Sequence, residues 1–415
     1  MEKAQTFTKA DGPDIGRSTT GGWPAVFALT LCVSTLIASE FMPVSLLTPI
    51  ASGLRVSEGQ AGLAIGVSGI FAVLTSLFIA PATRGLDRRT LLLWLTALMV
   101  ASGIIVALAP SYPIFMGGRA LLGVVIGGFW SMSTAIVMRL VADEAVPRAL
   151  ALLNGGNALA TTIAAPLGSF LGQYIGWRGA FFCVVPLAAV TLAWQYFSLP
   201  KMPSRERASG VAAFKVLSRP QVPLGMFAVA LFFMGQFALF TYLRPFLETV
   251  TAVDVTTLSL MLLGMGLAGI AGTYAIGFAL KRTLYGLLIV MPFAMAIIAG
   301  GLIALGPSPA SVAILLMAWG LIGTAAPVAW WTWVSRVLPN EAEAGGGLMV
   351  AVVQLAITLG AALGGMLFDR WGYQATFLAS SVFLTSSALI AVRASRKSRL
   401  IVARAAHFTA STATP

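Results

Sequence analysis

Charge is scarce in this sequence: aspartate, glutamate, lysine and arginine make up 10% of its 415 residues, whereas 58% are hydrophobic and the mean hydropathy is +0.91. So few polar side chains cannot cover a soluble globule of that size, which excludes a water-soluble enzyme or binding module and places the chain in lipid. Cysteine is nearly absent as well. Cys32 and Cys183 both fall inside apolar runs with no CxxC spacing, so they read as packing residues and carry no metal or redox motif. Histidine occurs once, as His407 in a polar tail, which removes a histidine metal centre and a membrane-embedded histidine relay. No P-loop is present, so ATP is not an energy source this chain itself can use. Residues 1–22 are polar and mixed in charge, unlike a cleavable signal peptide, and the first apolar run is expected to be retained.

What the sequence has in abundance is long apolar runs. A helix needs about 20 residues to cross a hydrocarbon core roughly 30 Å thick. Twelve runs qualify, near residues 24–50, 59–81, 91–110, 113–138, 147–172, 178–198, 222–245, 256–280, 283–305, 310–337, 345–367 and 375–393. The expected fold is an all-α membrane protein of twelve transmembrane helices. Lysine and arginine concentrate at one set of span ends, the set that includes both termini; of 26 such residues only Arg55, Arg119, Arg178, Arg244 and Arg370 lie elsewhere. Both termini are therefore expected on the cytoplasmic side. The net charge of +12 is accounted for by these loops and by Arg393, Arg396, Lys397, Arg399 and Arg404, where it fixes topology and meets anionic headgroups; no nucleic-acid partner is implied.

The one long polar break lies between the sixth and seventh spans. It divides the chain into an N-terminal tail (1–22), a six-helix half (23–198), a cytoplasmic linker (199–221), a second six-helix half (222–394) and a basic cytoplasmic tail (395–415). A shift of 196 positions lays APLGSFLGQYIGWRGAF, from Ala165, over AALGGMLFDRWGYQATF, from Ala361, matching Gly168 to Gly364 and Gly176 to Gly372. A shift of 200 sets Gly123 and Trp130 on Gly323 and Trp330. Six spans on each side and these matches suggest a duplicated bundle. In such a fold the substrate site lies near the midplane between the halves, which rock to expose it to one side at a time.

Glu40 is the sharpest single feature. It lies in the first span, in LIASEFMPVSLLTP, roughly 25 Å along the helix from Trp23. A charge at that depth costs several kcal/mol unless paired or hydrated, so a carboxyl there readily takes up a proton. Pro43 removes the amide that would bond the Ser39 carbonyl and leaves an acceptor beside the acid. Two readings stand: a proton carrier, or a glutamate permanently paired with an arginine of another helix.

The first-span acid and proline (SEFMPVSLL), the arginine and spaced glycines of the fourth span (GRALLGVVIGG), the fifth-span APLGSFLG and the sixth-span GWRGAFF together resemble the major facilitator superfamily, more narrowly its drug:proton antiporter branch. EFMPVSLLTPIASGLRVSEGQAG, GFWSMSTAIVMRLV, GQFALFTYLRP and WWTWVSRVLP are similar to the purine ribonucleoside exporters of that branch. The resemblance implies a monomeric proton-coupled antiporter of a bacterial inner membrane. It would export purine ribonucleosides (inosine, guanosine, adenosine and base analogues) by alternating access, with no cofactor or metal. A sugar or multidrug exporter would share the skeleton and differ in pocket polarity.

At its motif position Arg119 would tune or relay the proton; a structural arginine bonded to backbone carbonyls of neighbouring helices is the alternative. A flat base and a hydroxylated ribose call for aromatic slots and a few amides. Trp130, Asn157, Gln236, Phe237, Tyr242, Trp330 and Gln354 are the candidates for substrate contact, and at least one of Trp330, Trp331 and Trp333 must face lipid or a neighbouring helix. Asp87, Arg88 and Arg89 stand for the family's latch after the second span, with Asp87 placed directly before the arginines, a departure from the usual spacing. Pro166 and Gly168 stand for the fifth-span antiporter motif, with Ala165 where a glycine is usual.

Overall fold

The computed structural model describes residues 22–83, 85–203, 216–219, 221–338 and 342–412. The expected N-terminal tail up to residue 21, most of the expected linker (204–215 and 220) and the side chains of the basic tail beyond Arg396 lie outside the described residues.

Regular structure is helical throughout the described residues: α1 (Trp23–Ser45), α2 (Leu47–Leu54), α3 (Glu58–Ala82), α4 (Arg88–Ala107), α5 (Tyr112–Leu140), α6 (Val146–Ser198), α7 (Val222–Thr241), α8 (Leu243–Thr249), α9 (Val255–Leu280), α10 (Leu284–Leu305), α11 (Pro309–Val337) and α12 (Ala342–Thr412). Their starts follow local chemistry. Proline in the first turn opens α1, α5, α6, α7 and α11, where its missing N–H is not needed. Ser57 and Gln60 form a reciprocal capping box on α3, and Asp87, Asp254 and Thr283 cap α4, α9 and α10.

Ten of these helical segments are long and apolar enough to cross a membrane, and two are double length, 53 residues in α6 and 52 in the apolar part of α12. A straight helix of that size would run roughly 80 Å, over twice the hydrocarbon core. Each leaves helical geometry once, at Gly176 (φ 72°, ψ 166°) and Gly372 (φ 75°, ψ −172°), a region open essentially to glycine alone. There the chain turns back. Thr376 donates to the carbonyl of Gly364 at 3.1 Å, a contact impossible along a straight helix. Gly156 and Gln195 likewise return to the same stretch of α1: Ser34 donates to Gly156 O at 3.0 Å, and Gln195 reaches Cys32 through Thr96. α6 and α12 therefore each cross twice. The apolar runs suggested separate spans with loops at these places; a single glycine performs each reversal.

The first run, expected to be continuous over 24–50, is broken at Leu46 (φ −118°, ψ 13°), three residues after Pro43. The seventh is broken in the same way at Tyr242 (φ −104°, ψ 16°), 196 positions later.

Each half has its own apolar core. One cluster is drawn from α7–α12, joined by Val44, Ile65 and Ala165; two others come from α1–α6, joined by Tyr242. The halves meet along two seams, α3 against α12 and α6 against α9. Each seam carries a hydrogen bond of the same kind: Thr358 Oγ1 donates to Gly66 O at 3.2 Å and Thr162 Oγ1 to Gly266 O at 3.4 Å. The end of the bundle where α1 begins, beside Leu140 and the Leu199–Pro203 segment, is the terminal end. The opposite end, with the turns at residues 55–57, 109–111 and 176, is the distal end.

Candidate functional site

The site is built on a helix that cannot bond itself. In α1 the carbonyl of Ser39 would accept from residue 43, which is proline, so the bond is missing. Arg119 of α5 fills it: Nη1 donates to Ser39 O at 2.7 Å and Nη2 to Glu40 O at 3.1 Å. Its remaining donors go to α3, Nε to Ala64 O at 3.2 Å and Nη2 to Ser68 Oγ at 3.2 Å. Arg119 is thus fully buried and tied to the backbone of two helices, beside a small void lined by Ser39, Ser102, Leu122 and Phe181. The backbone-bonded arrangement foreseen as the alternative for Arg119 is the one observed.

Glu40 is buried (3% exposed) where the halves meet. Among the described residues no ion pair joins its carboxylate to an arginine; its Oε1 accepts from Gln354 Nε2 of α12, in the other half, at 3.5 Å. The guanidinium of Arg119 acts on Glu40 from the backbone side, and the carboxylate meets a neutral amide. That amide suits either protonation state. Its N–H donates to a carboxylate, an amide oxygen can accept from a carboxylic acid, and its Oε1 is buried without a partner. A buried carboxyl with no permanent cationic partner can change charge without breaking a salt bridge.

Phe41, the next residue, stacks on Phe237 of α7, with ring centroids 5.8 Å apart and planes inclined by 27°. The shift of 196 that relates the halves carries Glu40 and Phe41 onto Gln236 and Phe237, so this stack joins two equivalent positions across the axis between the halves. Gln236 Nε2 donates to Gly323 O at 3.3 Å and its Oε1 is buried without a partner.

The other expected residues are placed as follows. Trp130 is half-buried, edge-on to Phe129, and Asn157 is half-buried on α6. Trp330 is buried edge-on against Trp333 in the core of the second half, while Trp331 faces outward, 44% exposed. Tyr242 is fully buried at the α7–α8 break, its hydroxyl donating to Ala361 O at 2.8 Å and its ring stacked on Phe368. Asp87 caps α4 through Arg89 N (2.8 Å) and accepts from Met202 N (2.7 Å), Arg88 N donates to Met202 O (2.9 Å), and Arg89 Nη2 donates to Tyr196 O (2.7 Å). This motif therefore ties the loop before α4 to the segment after α6, inside one half. Pro166 is buried in α6; Gly168 lies against Ser45 and Met42 of α1, where a Cβ would come within 2.6 Å of Ser45 Oγ.

The fold thus gathers Glu40, Arg119, Gln354 and Phe237 about one stretch of α1, and commits Tyr242 and Trp330 to packing contacts. Ala64, Ser68 and Phe41 carry no signal of their own in the sequence. The Ser39–Pro43 spacing marks a free carbonyl, but nothing in the order of residues says which arginine takes it.

Comparison with known proteins agrees with this architecture. The family model described as Major Facilitator Superfamily matches residues 26–357. The chain is 58% identical, over 91% of its length and 94% of the relative's, to a Pseudomonas aeruginosa protein named transcription regulatory protein OpdE. It is 41% identical, over 89% of its length and 93% of the relative's, to the purine ribonucleoside efflux pump NepI of Salmonella typhimurium. Among solved structures it resembles a bacterial homolog of the human lysosomal transporter Spinster in its inward-facing, unoccupied conformation (TM-score 0.73, 16% identity, 91% of this chain and 98% of that one). It also resembles a point mutant of the nucleoside transporter NupG (TM-score 0.73, 13% identity, 89% and 99%). At those identities the likeness concerns the fold. A family match over most of the chain, a fold of two related six-crossing halves and a buried polar site between them lead to one conclusion: the chain belongs to the major facilitator superfamily and is a multi-pass membrane transporter of small molecules.

Proposed function

We propose that this transporter is a proton-coupled antiporter that exports purine ribonucleosides such as inosine, guanosine and adenosine. Its terminal end faces the cytoplasm of a bacterial inner membrane. The observation that carries the reading is Glu40: a buried carboxyl at the junction of the halves, facing a neutral amide of the opposite half and backed by Arg119. A proton and an outgoing substrate competing for such a carboxyl would make inward proton flow drive export, since only the neutral or the substrate-bound site is inexpensive to bury. The substrate class rests on the 41% identity to a relative named as a purine ribonucleoside efflux pump. It is supported by the stacked Phe41 and Phe237 rings and by the unpartnered amide oxygens of Gln236 and Gln354, which suit a flat base with N–H and O–H donors.

Uptake of labelled inosine into inside-out vesicles, with and without an imposed proton gradient, tests the reading. Gradient-driven accumulation by the wild type, lost in Glu40→Gln, is expected. Equal accumulation by the mutant removes Glu40 from the coupling, and no accumulation by either moves the substrate to a sugar or drug on the same skeleton. A second reading follows from the name of the 58% identical relative, a transcription regulatory protein: this chain would act in regulation and transport nothing. Substrate-dependent proton release from purified protein separates the two, because a regulator that does not transport releases none.

A further inference from the structure

A second carbonyl of α1 is also freed by proline. Ser45, the last residue of α1, would bond the amide of residue 49, and that residue is Pro49. The carbonyls at a helix C-terminus carry partial negative charge. Arg244 of α8, in the opposite half, donates to Ser45 O through Nη1, while its Nε lies 2.7 Å from Glu248. Arg244 pairs with Glu248 and is buried, 5% exposed.

On the other side of α2 the converse contact is made. The N-terminus of α3 presents partial positive charge. Asp369 of α12 accepts from Ser57 Oγ at 2.5 Å and from Gly59 N at 2.9 Å. The approach depends on glycine, because a Cβ at Gly59 would collide with Asp369 Oδ2 and lie 2.7 Å from Gly365 O. The second half thus sets a cation on the C-terminus of α1 and an anion on the N-terminus of α3, the helix ends on either side of α2. The equivalent positions in the first half, 196 earlier, are Thr48 and Gln173, so no charged counterpart is returned.

We infer that Arg244 and Asp369 are positioning residues that hold the distal side of the transporter closed by capping helix ends of the opposite half. Both contacts must part when that side opens. Ser45 lies five residues beyond Glu40 on the same helix, so the Arg244 contact holds the end of the segment that carries the acid. This closure requires neither a particular substrate nor a proton.

Spin labels at Ser52 and Thr256, exposed distal positions in the two halves, report the opening as a distance distribution, with Cys32 and Cys183 replaced by alanine. The unsubstituted pair should be mostly short. Arg244→Gln and Asp369→Asn should each move the population toward the longer distance by about tenfold, the size expected for one charge-assisted hydrogen bond. Arg244→Lys should recover only part of the closed population, because one ammonium cannot reach Ser45 O and Glu248 together. Variants that fold, with unaltered gel-filtration profiles and distance distributions identical to the parent, overturn the inference even if they melt at lower temperature. Should Arg244→Gln fail to fold, Asp369→Asn carries the test with the same two outcomes.

Discussion

A step of 196 residues carries Leu46 onto Tyr242, Gly176 onto Gly372 and Thr162 onto Thr358. At each pair the two halves do the same thing: a broken first crossing, a glycine reversal, a threonine donating across the seam. The same step carries Glu40 onto Gln236, and a step of 200 carries Arg119 onto Trp319, which is buried at 2% exposure. There the halves part company. The frame is symmetric because backbone geometry and close helix approach constrain both copies alike. The ionisable pair exists on one side only, so under the proposed coupling a change of charge at the centre would act on one half alone. A symmetric pair of acids would instead place two like charges about one axis, where each raises the cost of ionising the other.

The comparison breaks most sharply at Glu40. Glu40→Gln is expected to abolish gradient-driven transport, and adding Gln236→Glu should not restore it. A carboxylate at 236 would face the Gly323 carbonyl with no cation in the place of Arg119. Proton-driven uptake recovered by the double variant, measured in inside-out vesicles, would show that the halves are interchangeable after all. Next in size is Arg119→Met, which strands the carbonyls of Ser39 and Ala64 and should cost about 3 kcal/mol of stability, read as a lowered melting temperature of the purified protein.

Two smaller tests sharpen the comparison at the seams. A Cβ at Gly266 would come within 2.7 Å of Thr162 Cγ2 and 2.8 Å of its carbonyl, whereas at Gly66 the nearest atom is at 3.6 Å. Gly266→Ala should therefore slow transport severalfold while Gly66→Ala stays near the wild type; equal effects would mean that the α6–α9 seam is no tighter than the α3–α12 seam. Smallest of all, Thr162→Val and Thr358→Val should each cost about 0.6 kcal/mol, the usual worth of a hydrogen bond between membrane helices, and by similar amounts. Chemical or thermal unfolding in detergent measures the pair.

Much of this was legible in the order of residues. Apolar run length gave the crossings, because a lipid core leaves a spanning segment no other way to satisfy its backbone. Glu40 stood out because carboxylates are rare at that depth, and Pro43 pointed to a free carbonyl beside it. Less legible were the roles of the polar and aromatic candidates. Tyr242 and Trp330 have the chemistry of a binding site but lie in packing contacts, and in a chain this apolar the alternation of polar residues is too weak to say which face of a helix a side chain occupies. Arg244 and Asp369 drew little notice, since a charge near a helix end in a membrane is ordinary until its partner is known.

By itself the sequence determined that the chain spans a membrane many times, that it is built from two related parts and that one acid lies where acids are costly; these follow from hydropathy, length and local bonding capacity. Only the tertiary structure decided that Arg119 holds backbone instead of the Glu40 carboxylate, that Gln354 meets that carboxylate from more than three hundred residues away, and that Arg244 and Asp369 cap the helices of the other half. Those partners are set by which helices lie side by side, and no local rule of propensity or spacing encodes a neighbour across the bundle.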